Sequence, residues 1–190
     1  MSVILIGIAA GILVLASLVI IFIIVTYNGF IHLKNNIDKH WSNIDVLLKQ
    51  RYDEIPKLVE VCKGYMTHER ETLERVIRAR NMLGSVPKDS KAFLENQTML
   101  TSALKSLFAV AEQYPELKAD SMFARLQSRI TELEDSIADR REMYNEIVTI
   151  YNIKLQKFPD LVVGSMFKFD QGILWEINPS HREDVKISFT

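Results

Sequence analysis

Cysteine is nearly absent. Cys62 is the only one in 190 residues, which excludes an intramolecular disulfide framework. On a helix face it reads as a small apolar residue rather than a reactive thiol. Glycine and proline are scarce, seven and five, which disfavours a strand-and-turn protein and favours long helices. Neither sign of charge dominates. The 23 Lys and Arg against 24 Asp and Glu leave a formal net charge of −1, and the basic residues alternate with acidic ones. Nucleic acid is therefore excluded as an expected partner, because no basic field or stripe exists to hold phosphates. No charged residue precedes Lys34.

That charge-free stretch contains the strongest signal in the chain. From Val3 to Val25 every residue is apolar or small except Ser17. At the helical rise such a run covers about 35 Å, enough to cross a hydrocarbon core of about 30 Å. A cleaved signal peptide would carry a basic start, a shorter apolar core and a small-x-small cleavage site. None of these is present, and Thr26-Tyr27-Asn28 is a poor cleavage site. A core helix apolar on all sides has no room in a domain this small. The run predicts a transmembrane anchor over residues 1–26. Lys34 and Lys39 follow it and no Lys or Arg precedes it. The positive-inside rule then puts the N-terminus outside and the following domain in the cytoplasm, with Tyr27 as an interfacial aromatic.

Beyond the anchor the periodicity is helical. Phe30, Leu33, Ile37, Trp41, Ile44, Leu48, Ile55, Val59 and Cys62 keep mostly three-four spacing, predicting one helix over about 28–83, kinked at Pro56. Gly84-Ser85-Val86-Pro87 ends it. A second helix, capped by Asp89 or Ser90, carries Phe93, Gln97, Leu100, Leu104, Leu107, Ala111 and Tyr114, and Pro115 stops it. A third, capped by Asp120 or Ser121, runs over about 122–158 with Ile130, Glu134, Ile137, Arg141, Tyr144, Val148, Tyr151, Leu155 and Phe158 on one face. Short turns between heptad-like helices predict an antiparallel, coiled-coil-like bundle over 27–160. The fold class is thus all-α: a transmembrane helix continuous with a bundle of long helices, plus a short irregular C-terminal tail.

The tail, 161–190, crowds Leu161, Val162, Val163, Met166, Phe167, Phe169, Ile173, Leu174 and Trp175 around Gly164 and Gly172. It is expected to fold back over an end of the bundle as a short helix and loop. Val185 to Phe189 alternates like a strand with nothing to pair with. A first helix much longer than the second would leave part of the Phe30–Trp41 stripe uncovered. Phe30, Trp41, Met166, Phe167, Phe169 and Trp175 are therefore the candidate interface for a homo-oligomer, a partner or membrane lipid.

Catalytic constellations are hard to assemble from this sequence. His32, His40, His68 and His181 are scattered, and the second ligand that His68-Glu69 would need falls on Thr72, so no metal site and no cofactor are expected. His68-Glu69-Arg70 is like the phosphoacceptor box of sensor kinases, but no room remains for an ATP-binding domain. A solvated face, with Glu69, Arg70, Glu71, Glu74, Arg75 and Arg78 paired along the helix, accounts for these residues. No G-x-S-x-G elbow occurs. Charges within the seams are more informative: Asp45, Glu112, Glu134 and Arg141 form a candidate structural polar seam. A seam charge is costly unless paired, so Arg141 is expected to meet Glu112 or Asp45 across helices. The alternative places each at its stripe's edge in water.

Several local sequences together resemble the LemA family over nearly the whole chain. They are Tyr27-Asn28, the stretch Trp41-Ser42-Asn43-Ile44-Asp45 to Gln50-Arg51-Tyr52-Asp53-Glu54-Ile55-Pro56, Lys63-Gly64-Tyr65, His68-Glu69, Ala109-Val110-Ala111-Glu112-Gln113-Tyr114-Pro115-Glu116-Leu117-Lys118-Ala119, Arg141-Glu142-Met143-Tyr144-Asn145, Tyr151-Asn152, Phe158-Pro159 and Phe167-Lys168-Phe169. The resemblance implies a single-pass protein of the bacterial cytoplasmic membrane with a bundle of long helices, and it brings no established activity. Family members often occur beside membrane zinc metalloproteases, and a relative participates in making magnetosome membranes. The chain departs from the family at Lys168, where glycine is usual, and at Lys57, often asparagine. The expected function is a non-enzymatic, membrane-anchored scaffold that self-associates or binds partners. The alternative is an adaptor or substrate of a membrane metalloprotease.

Overall fold

The computed structural model describes residues 2–87 and 90–175, the side chain of Val3 aside. Asp89 and the Val185–Phe189 stretch lie outside the described residues, as does the tail beyond Trp175. The order is α1 (Ser2–Tyr65), α2 (Arg70–Leu83), α3 (Lys91–Ala111), α4 (Pro115–Ala119), α5 (Ser121–Gln156) and α6 (Asp160–Met166). Among the described residues there is no strand. The chain divides into two compact units. One holds the residues up to Trp41 with Met143–Leu174, and the other holds Ser42–Glu142 with Trp175.

In the first unit, the apolar run is the start of α1, and its side chains from Ile4 to Ile21 are exposed. This is the one described helix long and apolar enough to cross a membrane. It passes Tyr27-Asn28 without a break, so no flexible linker separates the run from the residues that follow. Phe30, Tyr151 and Leu155 form a buried cluster, with Leu33, Ile37 and Phe169 packed against it.

The second unit buries Ile44, Leu48, Ile55, Leu58 and Cys62 of α1, Val76 of α2, Leu100, Leu104 and Leu107 of α3, Leu117 of α4, and Phe123, Leu126, Ile130 and Ile137 of α5. Burial pushes the Cys62 thiol up to about 12, so at neutral pH it stays protonated and behaves as a core residue. Two caps act as read from the sequence. Ser90 Oγ accepts the Phe93 N–H at 3.2 Å. Asp120 Oδ1 accepts those of Met122 and Phe123 at 2.8 and 3.0 Å. The Phe123 amide and the Tyr65 hydroxyl hold the Asp120 carboxyl below its usual range.

Two boundaries differ from expectation. The segment expected as one helix over 28–83 breaks after Tyr65 and resumes at Arg70. Gly64 and the polar Thr67-His68 pair weaken helix propensity there. The break is then pinned by tyrosines: Tyr65 Oη donates to Asp120 at 2.9 Å, and Tyr114 Oη donates to Glu69 at 3.3 Å. Each tyrosine flanks one turn and bonds the other, so the α1–α2 and α3–α5 connections hold each other. Pro115 does more than stop α3, which ends at Ala111; it opens the one-turn helix α4 from its first position.

Pro56 does not end α1. An interior proline supplies no N–H to the carbonyl four residues back, here Tyr52. Arg80 fills that gap: its Nε donates to Tyr52 O at 3.1 Å, and its guanidinium lies 3.6 Å from the centre of the Tyr52 ring. The orphan carbonyl and the ring are both met by one side chain from α2. Arg80→Met should therefore lower stability by about 1 kcal/mol, the cost of leaving a part-buried acceptor unmet. In a Pro56→Ala background, which restores the missing N–H, the same substitution should cost less. Denaturant unfolding of the wild type, both single variants and the double variant in detergent checks this coupling.

Candidate functional site

Two constellations stand out, one in each unit. The first is an aromatic clasp at the end of the apolar run. Tyr27 packs against Phe167 and Phe169, with ring centroids 4.7 and 5.7 Å apart. Phe30 stacks on Phe169 at 5.0 Å and meets Tyr151 edge-on at 6.1 Å. Pairs of this kind contribute about 0.5–1.5 kcal/mol each beyond their buried area. Lys154 Nζ stands 5.1 Å from the centre of the Phe30 ring, a cation on its face.

The backbone after α6 aims Phe169 into this clasp. Phe169 N–H donates to Gly164 O at 3.0 Å and Lys168 N–H to Ser165 O at 3.3 Å, with Lys168 left-handed at φ 55°. This is a Schellman stop, whose left-handed position is normally glycine. Here a lysine takes the conformation that glycine adopts without strain. Gly164 is needed for contact, since a Cβ there would stand 2.9 Å from Leu155 Cδ2 and 3.6 Å from Phe30 Cζ.

Past the clasp, the chain is strapped along α5. Tyr151 Oη donates to Asp170 O and Tyr144 Oη to Ile173 O, both at 2.9 Å. Asn152 Nδ2 donates to Gly172 O at 3.0 Å, and its Oδ1 accepts the Gly172 N–H at 2.8 Å. Residues 144, 151 and 152 share one helix face, which is why they can follow an extended segment. Burial holds the Tyr144 and Tyr151 phenols above their ordinary pKa, with Asp38 and Asp170 adding to it respectively, so both remain donors.

The clasp corrects the candidate interface. Phe30 is fully buried, Trp41 is half-buried with its ring 5.6 Å from Tyr144, and Phe169 is half-buried on Phe30. The Phe30–Trp41 stripe is therefore covered within the unit. Trp175 is buried too, with the Arg141 guanidinium 5.8 Å from its ring centre. Of the six, Met166 and Phe167 remain exposed. An apolar seam that the sequence reading passed over lies on α5 instead, where Met143, Ile150 and Ile153 are exposed at seven-three spacing.

The second constellation is a buried polar seam in the other unit. Its centre is Arg51, fully buried, whose guanidinium donates to Gln97, to Glu134 and, at 3.0 Å, to Thr101. Thr101 Oγ1 donates in turn to Glu134 at 2.9 Å. Of the four expected seam residues, Glu134 is in this network. Glu112 is bonded instead by Lys118 at the surface, and Asp45 is half-buried on α1. Arg141 feels the Glu134 carboxylate, while its partial burial lowers its pKa. The buried cation is thus Arg51 rather than Arg141. Its signal was legible, since Arg51 falls three after Leu48 and four before Ile55 in the buried stripe, and Gln97 and Glu134 occupy stripe positions on their own helices.

Such a seam specifies which helices meet more than it stabilises them. Arg51→Met alone should cost about 3 kcal/mol, because Glu134 loses its partner, whereas Arg51→Met with Glu134→Leu should recover most of that loss. Chemical denaturation of the single and double variants measures the difference.

Among the described residues no three His, Cys, Asp or Glu gather as a metal site. The LemA family pattern matches residues 40–189. The chain is 27% identical to Protein LemA of Metamycoplasma hominis, covering 82% of this chain and 71% of that one. It is 26% identical to Magnetosome protein MamQ 2 of Paramagnetospirillum magneticum and 22% identical to Magnetosome protein MamQ of Magnetospirillum gryphiswaldense. Each of those alignments covers 72% of this chain and 60% of the relative, so the chain spans about three fifths of the magnetosome relatives' length. That pattern takes in residues of the strap, the tyrosine cross-links and the Arg51 seam, and the chain belongs to the LemA family.

Proposed function

We propose that this protein is a non-enzymatic scaffold, anchored in the bacterial cytoplasmic membrane by residues 1–26, that self-associates through helices held at the membrane surface. The observation that carries this reading is an exposed apolar seam on an element clasped to the anchor. Met143, Ile150 and Ile153 lie on α5, and α5 is tied to the membrane exit of α1 through Tyr151 and Phe30. An exposed seam on an element fixed to the bilayer meets other copies in two dimensions, which raises its effective concentration. The positive-inside rule favours the cytoplasm for the domain beyond the anchor. The names of the relatives, LemA and magnetosome proteins, mention no reaction, which fits a structural role.

Crosslinking in native membranes tests this. A ladder of self-crosslinks that Ile150→Glu with Ile153→Glu abolishes is the expected result. A strictly monomeric chain would contradict self-association, and a single heterologous band would favour an adaptor, for example of a membrane metalloprotease.

A further inference from the structure

The surface around α6 is apolar where water should require polar residues. Phe158 is 77% exposed, Val162 58% and Met166 56%, and Leu161 and Phe167 are exposed beside them. The inner face of α6, Val163 and Gly164, packs inward, so the helix offers its apolar side chains in both directions. Isolated exposed apolar residues need no explanation, but five gathered on ten residues of chain do.

The position of this patch along α1 identifies its occupant. Phe167 lies against Tyr27, two residues past the end of the apolar run at Val25. Packing on α1 even begins inside the run: Ile23 is half-buried and Thr26 is buried, on the face that continues to Phe30. At 1.5 Å per residue, Ile23 and Tyr27 are separated by about 6 Å along the axis. The body of this unit therefore starts at the depth where the hydrocarbon ends, and the exposed patch is the part of it attached there. Lys157 and Lys168, both exposed, flank the patch, where lipid phosphates would meet them, and Asp160 is half-buried at the start of α6.

We propose that Phe158, Leu161, Val162, Met166 and Phe167 form a second membrane contact, seated in the headgroup boundary of the leaflet from which α1 emerges. The inference deepens the anchored reading above and rests on its transmembrane helix. A span alone leaves a helix free to tilt and to rotate about its axis. A second contact beside it fixes both, and with them the direction in which the α5 seam points.

Nitroxide labelling of the full-length chain in phosphatidylcholine–phosphatidylglycerol vesicles tests this. Labels are placed at Val162→Cys and Met166→Cys, with Val19→Cys as the span control and Lys39→Cys, exposed on α1 well past the apolar run, as the water control. The native Cys62 is buried with its thiol protonated, so it stays unlabelled. The expected result is that labels at 162 and 166 collide with oxygen in preference to a nickel chelate, several-fold more so than at 39, at a depth of about 5–10 Å. Water-like collision ratios at 162 and 166 with a lipid-like ratio at 19 would overturn the second contact while leaving the anchor standing. Low collision with both reagents would overturn it in favour of a covering protein surface. A water-like ratio at 19 would overturn the anchor as well.

Discussion

Backbone and side chains in the first turns of α1 have no protein to bury against. The apolar side chains from Ile4 to Ile21 are exposed around the whole circumference of the helix. In water each large one would forfeit roughly 1.5–3 kcal/mol relative to burial. A helix satisfies its own backbone bonds and can enter hydrocarbon without cost to them, so a bilayer meets both requirements at once. The aromatic clasp stands at the place where the apolar run ends.

Aromatic residues crowd at that place for a physical reason. Tyr27, Phe167 and Phe169 pack their rings together at the end of the apolar run and cover the buried Phe30. Without the α6 stop, Phe169 would not reach Phe30, and the left-handed turn at Lys168 makes that stop possible. The strap from Asp170 to Ile173 then uses Tyr144, Tyr151 and Asn152 to satisfy backbone groups that no strand or helix takes up. In the other unit the same logic recurs. Arg80 takes the carbonyl that Pro56 abandons, and Tyr65 and Tyr114 bind the carboxylates of two turns.

Much of this was legible in the residues. The apolar run, the caps at Ser90 and Asp120 and the three stripes follow from spacing alone. The break at Tyr65 was not, because the buried positions on either side, Cys62 and Val76, suit one continuous pattern, and no proline marks the turn. Arg51 was passed over because a charge in a helix reads as solvated, although its register with Leu48 and Ile55 pointed inward. The covering of Phe30 and Trp41 depends on residues more than a hundred positions later, and no local pattern could show that Phe169, Tyr151 and Tyr144 return to them. Lys168 shows the opposite case, since a lysine holds the left-handed position of the stop that glycine normally fills.

Residues 1–26 should be a retained membrane span, with the helices clasped at Tyr27 and Phe30 fixed to it. Alkaline carbonate extraction of cell membranes, followed by intact-mass measurement of the recovered chain, tests it most directly. The chain should stay in the membrane pellet at a mass that includes residues 1–26. Release into the supernatant, or a pelleted chain whose mass lacks the apolar segment, would contradict it.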